Sequence, residues 1–239
     1  MRKTTATAKK RSNETRSASK EEVVEPHLTL TETAYADLEE MIVTMQLPPG
    51  STVSEAGLSA RLGIGRTPIR EALHRLARER LVVIMPQRGI IVSEINVGSQ
   101  LRLLEVRREL ERLIARSAAR RASEPELKRF REIAKELEAA AKTNDATTFM
   151  RLDREFNHLS SVAARNEFLS GSMSLIHSLS RRFWYVHYQQ VADMPLAARL
   201  HANVARAIAD RDESKAAKAS DQLLDYLEAF TRATLDMGM

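Results

Sequence analysis

Six of the eight glycines in this chain, Gly50, Gly57, Gly63, Gly65, Gly89 and Gly98, fall between residues 50 and 98, and only Gly171 and Gly238 follow. Glycine permits left-handed backbone and so punctuates turns and helix ends. The punctuated stretch must therefore fold into short elements joined by tight turns. The glycine-poor remainder is free to run in long helices. We place the boundary near Ile95–Gln100. Ahead of both parts, residues 1–25 are rich in Thr, Ser, Ala and Lys with almost nothing to bury, the signature of a disordered basic arm. The expected organisation is an arm over 1–25, a domain of short elements over 26–97 and an all-helical domain over 98–239. A length of 239 residues accommodates two small domains.

The longest uninterrupted apolar run is Leu81–Met85. A membrane span needs about 20 such residues, so an integral membrane protein is excluded. The chain has no cysteine, which removes disulfides, thiolate metal centres and cysteine nucleophiles. The basic N-terminus leads into no apolar segment of the secretory kind, so the expected location is cytoplasmic. Residues 1–20 hold seven basic residues against Glu14, so the net charge of +5 belongs to the arm. Within the body, Arg61–Arg88 holds seven arginines against Glu71 and Glu79, and no lysine occurs between Lys20 and Lys128. Guanidinium groups suit two-pronged contacts to phosphate or guanine, whereas a plain solvated helix face has no need of arginine over lysine.

The order of elements sharpens this reading. Tyr35, Leu38, Met41, Ile42 and Met45 recur at helical spacing, and Pro48-Pro49-Gly50 stops that helix. Ser54 is a good N-cap for a short helix through Leu62, and Gly63 sits where a left-handed C-terminal glycine belongs. After a tight turn, Thr67-Pro68 reads as the N-cap and first position of another helix, within residues 66–80. Its apolar face is Ile69, Leu73 and Leu76, and its other face presents Arg66, Arg70 and His74. Leu81–Met85, the turn Pro86-Gln87-Arg88-Gly89 and Ile90-Ile91-Val92 form a hairpin with an arginine at its tip. Two helices, a tight turn, a third helix and a basic-tipped hairpin make a winged helix-turn-helix. Such a helix enters the major groove of double-stranded DNA with its N-terminal residues at base edges, and the helix N-terminus favours a phosphate.

These residues resemble the GntR family of bacterial transcription regulators. The likeness runs through Leu47-Pro48-Pro49-Gly50, Ser54-Glu55, Leu58-Ser59-Ala60-Arg61-Leu62-Gly63 and Arg66-Thr67-Pro68-Ile69-Arg70-Glu71-Ala72-Leu73. It continues through Leu76, Leu81-Val82 and Arg88-Gly89, and so covers most of residues 33–93 in order. The resemblance implies DNA contacts at Arg66, Thr67 and Arg70, with Arg88 and Gly89 in the wing. It departs at Gly65, where the family often has a hydroxyl residue.

The second part shows six apolar stripes at helical spacing. They are Val106, Leu110 and Leu113; Leu127, Phe130, Ile133 and Leu137; and Phe149, Leu152, Phe156, Leu159 and Ala163. Then come Phe168, Met173, Ile176, Leu179 and Phe183; Leu196, Leu200, Val204 and Ile208; and Leu223, Leu227 and Phe230. Short loops between them imply an antiparallel bundle. With Glu105-Val106-Arg107, Leu110-Glu111, Asp153, Phe156, Asn166, His201 and Arg211-Asp212, this part is similar to the helical ligand-sensing domain of the FadR branch, the FCD type.

That resemblance implies a cavity in which an aspartate and three histidines often hold a divalent ion. Asp153 and His201 match the aspartate and one histidine, while Asn157 and Leu223 stand at the other two histidine positions. The candidate ligands for zinc, manganese or nickel are therefore Asp153, Asn157 and His201, a set poor in the nitrogen donors zinc prefers. The competing reading makes them hydrogen-bonding groups of a polar cavity. For an effector, taken to be a small organic acid, the candidates are Arg107, Asp153, Asn157, His201 and Arg182. Arg107 is equally placed for a salt bridge to Glu111 one turn on. The Arg181–Tyr188 cluster, which holds the single Trp, serves either an aromatic pocket or a packing face.

Three functions compete. A ligand-responsive regulator would bind a pseudo-palindromic operator as a homodimer, since two reading helices must meet two half-sites. A ligand-independent dimeric DNA binder would use the helical domain for dimerisation alone. A metal-dependent hydrolase lacks a complete ligand set, a nucleophile elbow and a phosphate loop, so no enzymatic activity is expected.

Overall fold

In a computed structural model, the structure describes Met1, residues 29–86 and residues 89–236. The expected basic arm, apart from Met1, and Arg88 at the wing tip lie outside the described residues.

The first domain opens with α1 (Leu30–Val43), capped by Thr29 and Glu32 holding each other's backbone amides. It ends ahead of the prolines, where Met45 takes φ of 65°. Ser54 accepts a hydrogen bond from the Gly57 amide and starts α2 (Glu55–Leu62), which Gly63 closes at φ of 67°. The third helix, α3, runs Arg66–Arg78 with Gly65 as its N-cap. Thr67 is thus inside the first turn and not its cap, and Pro68 stands where a missing N–H costs nothing. The wing is β2 (Val82–Met85) paired antiparallel with β3 (Gly89–Val92). A strand absent from the sequence reading, β1 (Thr52–Val53), pairs with the other edge of β3 to give the order β1-β3-β2. Two residues are too few to show a period. Leu38, Ile42, Ile69, Leu73, Leu76 and Leu81 form the fully buried heart of this domain.

Six helices follow, one for each stripe: α4 (Val97–Arg121), α5 (Glu124–Thr143), α6 (Ala146–Ala163), α7 (Glu167–Val191), α8 (Met194–Ala209) and α9 (Glu213–Asp236). Ser123, Asp145, Asn166 and Asp193 cap four of them at the connections. The protein is therefore mainly helical, with a small antiparallel sheet in the wing. The core runs through Phe130, Ile133, Leu137, Leu152 and Ile208, all fully buried.

The α4 stripe corrects its reading. Val106 is 54% and Leu113 44% exposed, while Leu104, Arg107, Ile114 and Ala118 form the inward face. On α7, Phe168 and Leu175 are also exposed, although Met173 is buried as expected.

The two halves meet where α1 packs against α7. Arg181 donates to both carboxylate oxygens of Glu39 at 2.7 and 2.9 Å and to Glu40 at 3.1 Å. Arg182, its neighbour, donates to the backbone carbonyls of Ser93 and Glu94 at 2.8 and 3.2 Å. Adjacent arginines on α7 thus hold the first helix of one domain and the linker that leaves it.

Candidate functional site

The outward face of α3 is built by subtraction. Ile69, Ala72, Leu73 and Leu76 turn inward, which leaves Arg66, Thr67, Arg70 and His74 exposed. Because Gly65 supplies no side-chain cap, the first-turn amides of Arg66 and Thr67 have no side-chain partner, a ready anion site at the positive end of the helix. Arg70 is held in place by Glu55 through paired bonds of 2.9 and 2.8 Å. That contact keeps the Glu55 carboxyl below its usual range. The pair is solvent-exposed, so Glu55 orients Arg70 with little contribution to stability. Gly89 is exposed beside the wing tip with φ of 90°, a conformation that favours glycine.

A second site lies inside the helical bundle. Arg107, Asp153, Asn157 and His201 line one cavity together with Met150, His177, Ser180, Arg181 and Trp184, and Phe149, Phe183 and Phe230 close it. The sequence reading placed Arg182 here too, and the structure corrects it: that guanidinium serves the linker. One step along a helix turns about 100°, and the residue that reaches the cavity is Arg181. The room inside is about 40 Å³, enough for very few water molecules.

Four charges and a neutral ring organise the cavity. Arg107 is buried and donates through Nε to Glu111 at 2.6 Å, so the salt bridge and the cavity position hold together. His201 has Nδ1 2.8 Å from the Ala197 carbonyl and Nε2 2.9 Å from Asp153 Oδ1. Burial works against its charge, but the hydrogen bond and charge of Asp153 prevail and raise its pKa above 6.5. Burial likewise works to raise Asp153, and the His201 contact outweighs it and holds the carboxyl below its usual range. Asn157 donates to the same Asp153 oxygen at 3.0 Å. His177 is the opposite case, pushed down to about 4 by burial and by Arg107, and is neutral near pH 7.

The donor set does not make a metal centre. Both nitrogens of His201 face acceptors, Nδ1 the Ala197 carbonyl and Nε2 the Asp153 carboxylate, so neither is turned toward an open position. Asn157 points its amide N–H at Asp153, and Leu223 is a buried hydrocarbon. No cluster of three or more His, Cys, Asp or Glu suited to a metal occurs among the described residues. Of the ligands expected for zinc, manganese or nickel, Asp153 and His201 are paired with each other here, and nothing confirms a bound ion.

Sequence reasoning missed Ser180, while Arg181 and Trp184 fall in the Arg181–Tyr188 cluster, read there as either an aromatic pocket or a packing face. Ser180 Oγ and Trp184 Nε1 are buried with no hydrogen-bond partner, and both residues line the cavity. Their spacing of four on α7 puts them on one face, but an unpartnered donor is a property of the folded core that no sequence pattern displays.

The FCD domain model matches residues 102–226, more than half of the chain, and the model for bacterial regulatory proteins of the gntR family matches residues 30–92. The chain belongs to the GntR family. This GntR-family protein is a transcriptional regulator with a GntR DNA-binding domain and an FCD domain, and the matched families are regulators, not enzymes. It is 27% identical to the Nta operon transcriptional regulator of Aminobacter aminovorans over 80% of this chain and 96% of that one. It is 25% identical to the HTH-type transcriptional repressor RspR of Escherichia coli over 87% and 91%. The solved structure of E. coli McbR/YncC superposes with a TM-score of 0.75 at 18% identity, covering 87% of this chain and all of that one, which supports the fold. No helix among the described residues is long and apolar enough to cross a membrane.

Proposed function

We propose that this regulator binds a pseudo-palindromic DNA operator as a homodimer and that a small anionic effector, a carboxylate, enters the bundle cavity and changes that binding. In this reading the reader domain spans 26–97 and the sensor 98–239, with the protein at work in the cytoplasm. Arg66, Thr67 and Arg70 meet the major groove, and Arg88 and Gly89 the backbone beside it. The observation that carries the effector is the pair of unpartnered donors, Ser180 Oγ and Trp184 Nε1, beside the cations Arg107 and His201. Buried polar groups are nearly always satisfied, and two unpartnered donors in one cavity suit an anionic acceptor. The narrow cavity must open to admit it, so the ligand would select one arrangement of the sensor over another.

Dimerisation has its own support. The Ile114, Leu169 and Met173 cluster joins α4 to α7, and Val106, Leu113, Phe168 and Leu175 stand exposed on these two helices. An apolar stripe left uncovered on two adjacent helices suits a self-complementary interface.

The test is a thermal-shift screen of metal-stripped protein against small carboxylates and sugar acids, with and without zinc, manganese and nickel. A metal-independent rise in melting temperature that disappears in Trp184→Phe supports the reading. A metal-dependent rise, or none, refutes it, the latter leaving a dimeric DNA binder with no effector.

A further inference from the structure

Asn157, His177 and Arg181 border three spaces each, but among the described residues Arg181 alone borders the three that link the inner cavity to α1. One is the inner cavity. The other two are clefts of about 450 and 340 Å³ between the sensor and α1 of the reader, walled on the reader side by Glu40 and Glu39 respectively. Met150 and Arg181 are the two residues common to the inner cavity and the larger cleft. The way into the cavity thus runs past the guanidinium that ties the two domains together.

We infer that Arg181 is both the gate of the cavity and the residue that couples its contents to the DNA reader, an entering anion taking the guanidinium contacts that Glu39 and Glu40 hold in this structure. The inference rests on the reading of the cavity as an anion site.

The consequence for the reader follows from burial. Glu39 is only 4% exposed, and Arg181 supplies both of its carboxylate oxygens with donors. A buried carboxylate stripped of its partner is strongly unfavourable. Glu79, 2% exposed on the C-terminal end of α3, is close enough for Glu39 to repel it. It is held by the Tyr35 hydroxyl at 2.7 Å and Arg75 Nε at 3.2 Å, with the Arg75 guanidinium 3.6 Å above the Tyr35 ring. Withdrawal of Arg181 leaves two buried carboxylates facing each other across α1 and α3. The helix that carries Tyr35 and Glu39 must then loosen its hold on the helix that reads DNA. Cavity and recognition helix are thereby joined through one exchangeable set of hydrogen bonds, the kind of two-state element that coupling requires.

A carboxylate fixed at the gate serves as the probe, with no effector needed. Met150→Glu places it at the mouth of the cavity, and Met150→Gln has the same shape without the charge. The readout is amide hydrogen exchange across Leu30–Val43 in the full-length protein at neutral pH. Arg181→Met is expected to speed exchange there by about tenfold. Met150→Glu should approach that value while Met150→Gln stays near wild type, and in a Glu39→Gln/Glu40→Gln background Met150→Glu should add nothing. Equal exchange in the Glu and Gln variants overturns the inference, as does a charge effect that persists without Glu39 and Glu40. If Met150→Glu melts before wild type by more than the exchange window allows, Ser161→Asp against Ser161→Asn, in the cleft shared with Arg181 and Glu39, repeats the comparison. A carboxylate that stabilises wild type while the charge variants leave α1 silent removes the coupling and keeps the anion site; silence in both removes both.

Discussion

His201 Nε2 lies 2.9 Å from Asp153 Oδ1 while its Nδ1 lies 2.8 Å from the carbonyl of Ala197, the residue one turn earlier on α8. Two acceptors face one ring, and the Asp153 contact raises the His201 pKa above 6.5, which favours the imidazolium with its two N–H donors. The pair is enclosed by aromatic edges from Phe149 and Phe156, at 5.5 and 5.9 Å between ring centres. A charged His–Asp bridge between α6 and α8 is thus a structural clamp at the floor of the cavity. It also presents a positive ring to whatever enters.

The clamp gives the protein a pH signature. Folding raises the His201 pKa above 6.5, so its stabilisation is complete below about pH 6.5 and fades as pH climbs through the folded value. His201→Gln should cost about 3 kcal/mol in mildly acidic buffer, the scale of a broken buried pair, and less in alkaline buffer. His177 acts with the opposite sign. Its folded pKa of about 4 means that stability is lost as pH falls from 6.5 toward 4, and His177→Gln should remove that loss. Melting temperatures of the three proteins across pH 4–9 check both, and parallel curves would refute the assignments.

Metal should be without effect on this chain. Chelator or added zinc is expected to move the wild-type melting temperature by about 1 °C at most, since neither nitrogen of His201 is turned toward an open position. Asn157→His together with Leu223→His supplies the two histidines that the FCD resemblance implies at those positions. The double variant should acquire zinc-dependent stabilisation, read by melting with and without chelator. A zinc response in wild type would show that the Asp153–His201 bridge opens readily.

Much of this was legible in the sequence because local chemistry enforced it. Ser54 and Gly63 define α2 by capping and left-handed geometry, and six stripes gave six helices. What escaped depends on tertiary contact. β1 exists because Thr52 and Val53 find the edge of β3, not because two residues have a pattern. The Val106–Leu113 stripe has helical period, yet period says nothing about which apolar face finds a partner within the same chain. The choice between Arg181 and Arg182 turned on one 100° step, and the unpartnered state of Trp184 Nε1 appears only once the core has closed over it.

DNA reading should hang on Arg70. Its 58% side-chain exposure and the solvated Glu55 pair make Arg70→Ala neutral for folding, within about 0.5 kcal/mol. Loss of a two-pronged contact to a base or phosphate should weaken specific binding by about 1–3 kcal/mol. Duplexes selected from a random pool with wild type provide the probe. Competition against bulk DNA should show the preference fall in the variant while circular dichroism and melting stay put. Undiminished preference would take α3 out of the groove.

The exposed α4–α7 stripe decides how two reading helices are brought to one operator. Phe168 is 78% exposed and so contributes little to the fold of its own chain. Phe168→Glu, or Leu175→Glu two turns on along the same face of α7, should therefore leave the melting behaviour of a monomer intact while putting a charge into the centre of the proposed interface. Aromatic residues buried at such centres are worth about 2 kcal/mol or more, so the dimer should weaken by about thirtyfold. Sedimentation at micromolar concentration reads the shift toward monomer directly, and binding to a duplex with both half-sites should fall much further than binding to one half-site. If the variant sediments with wild type, the second copy sits elsewhere, and the stripe on α4 and α7 faces some other partner.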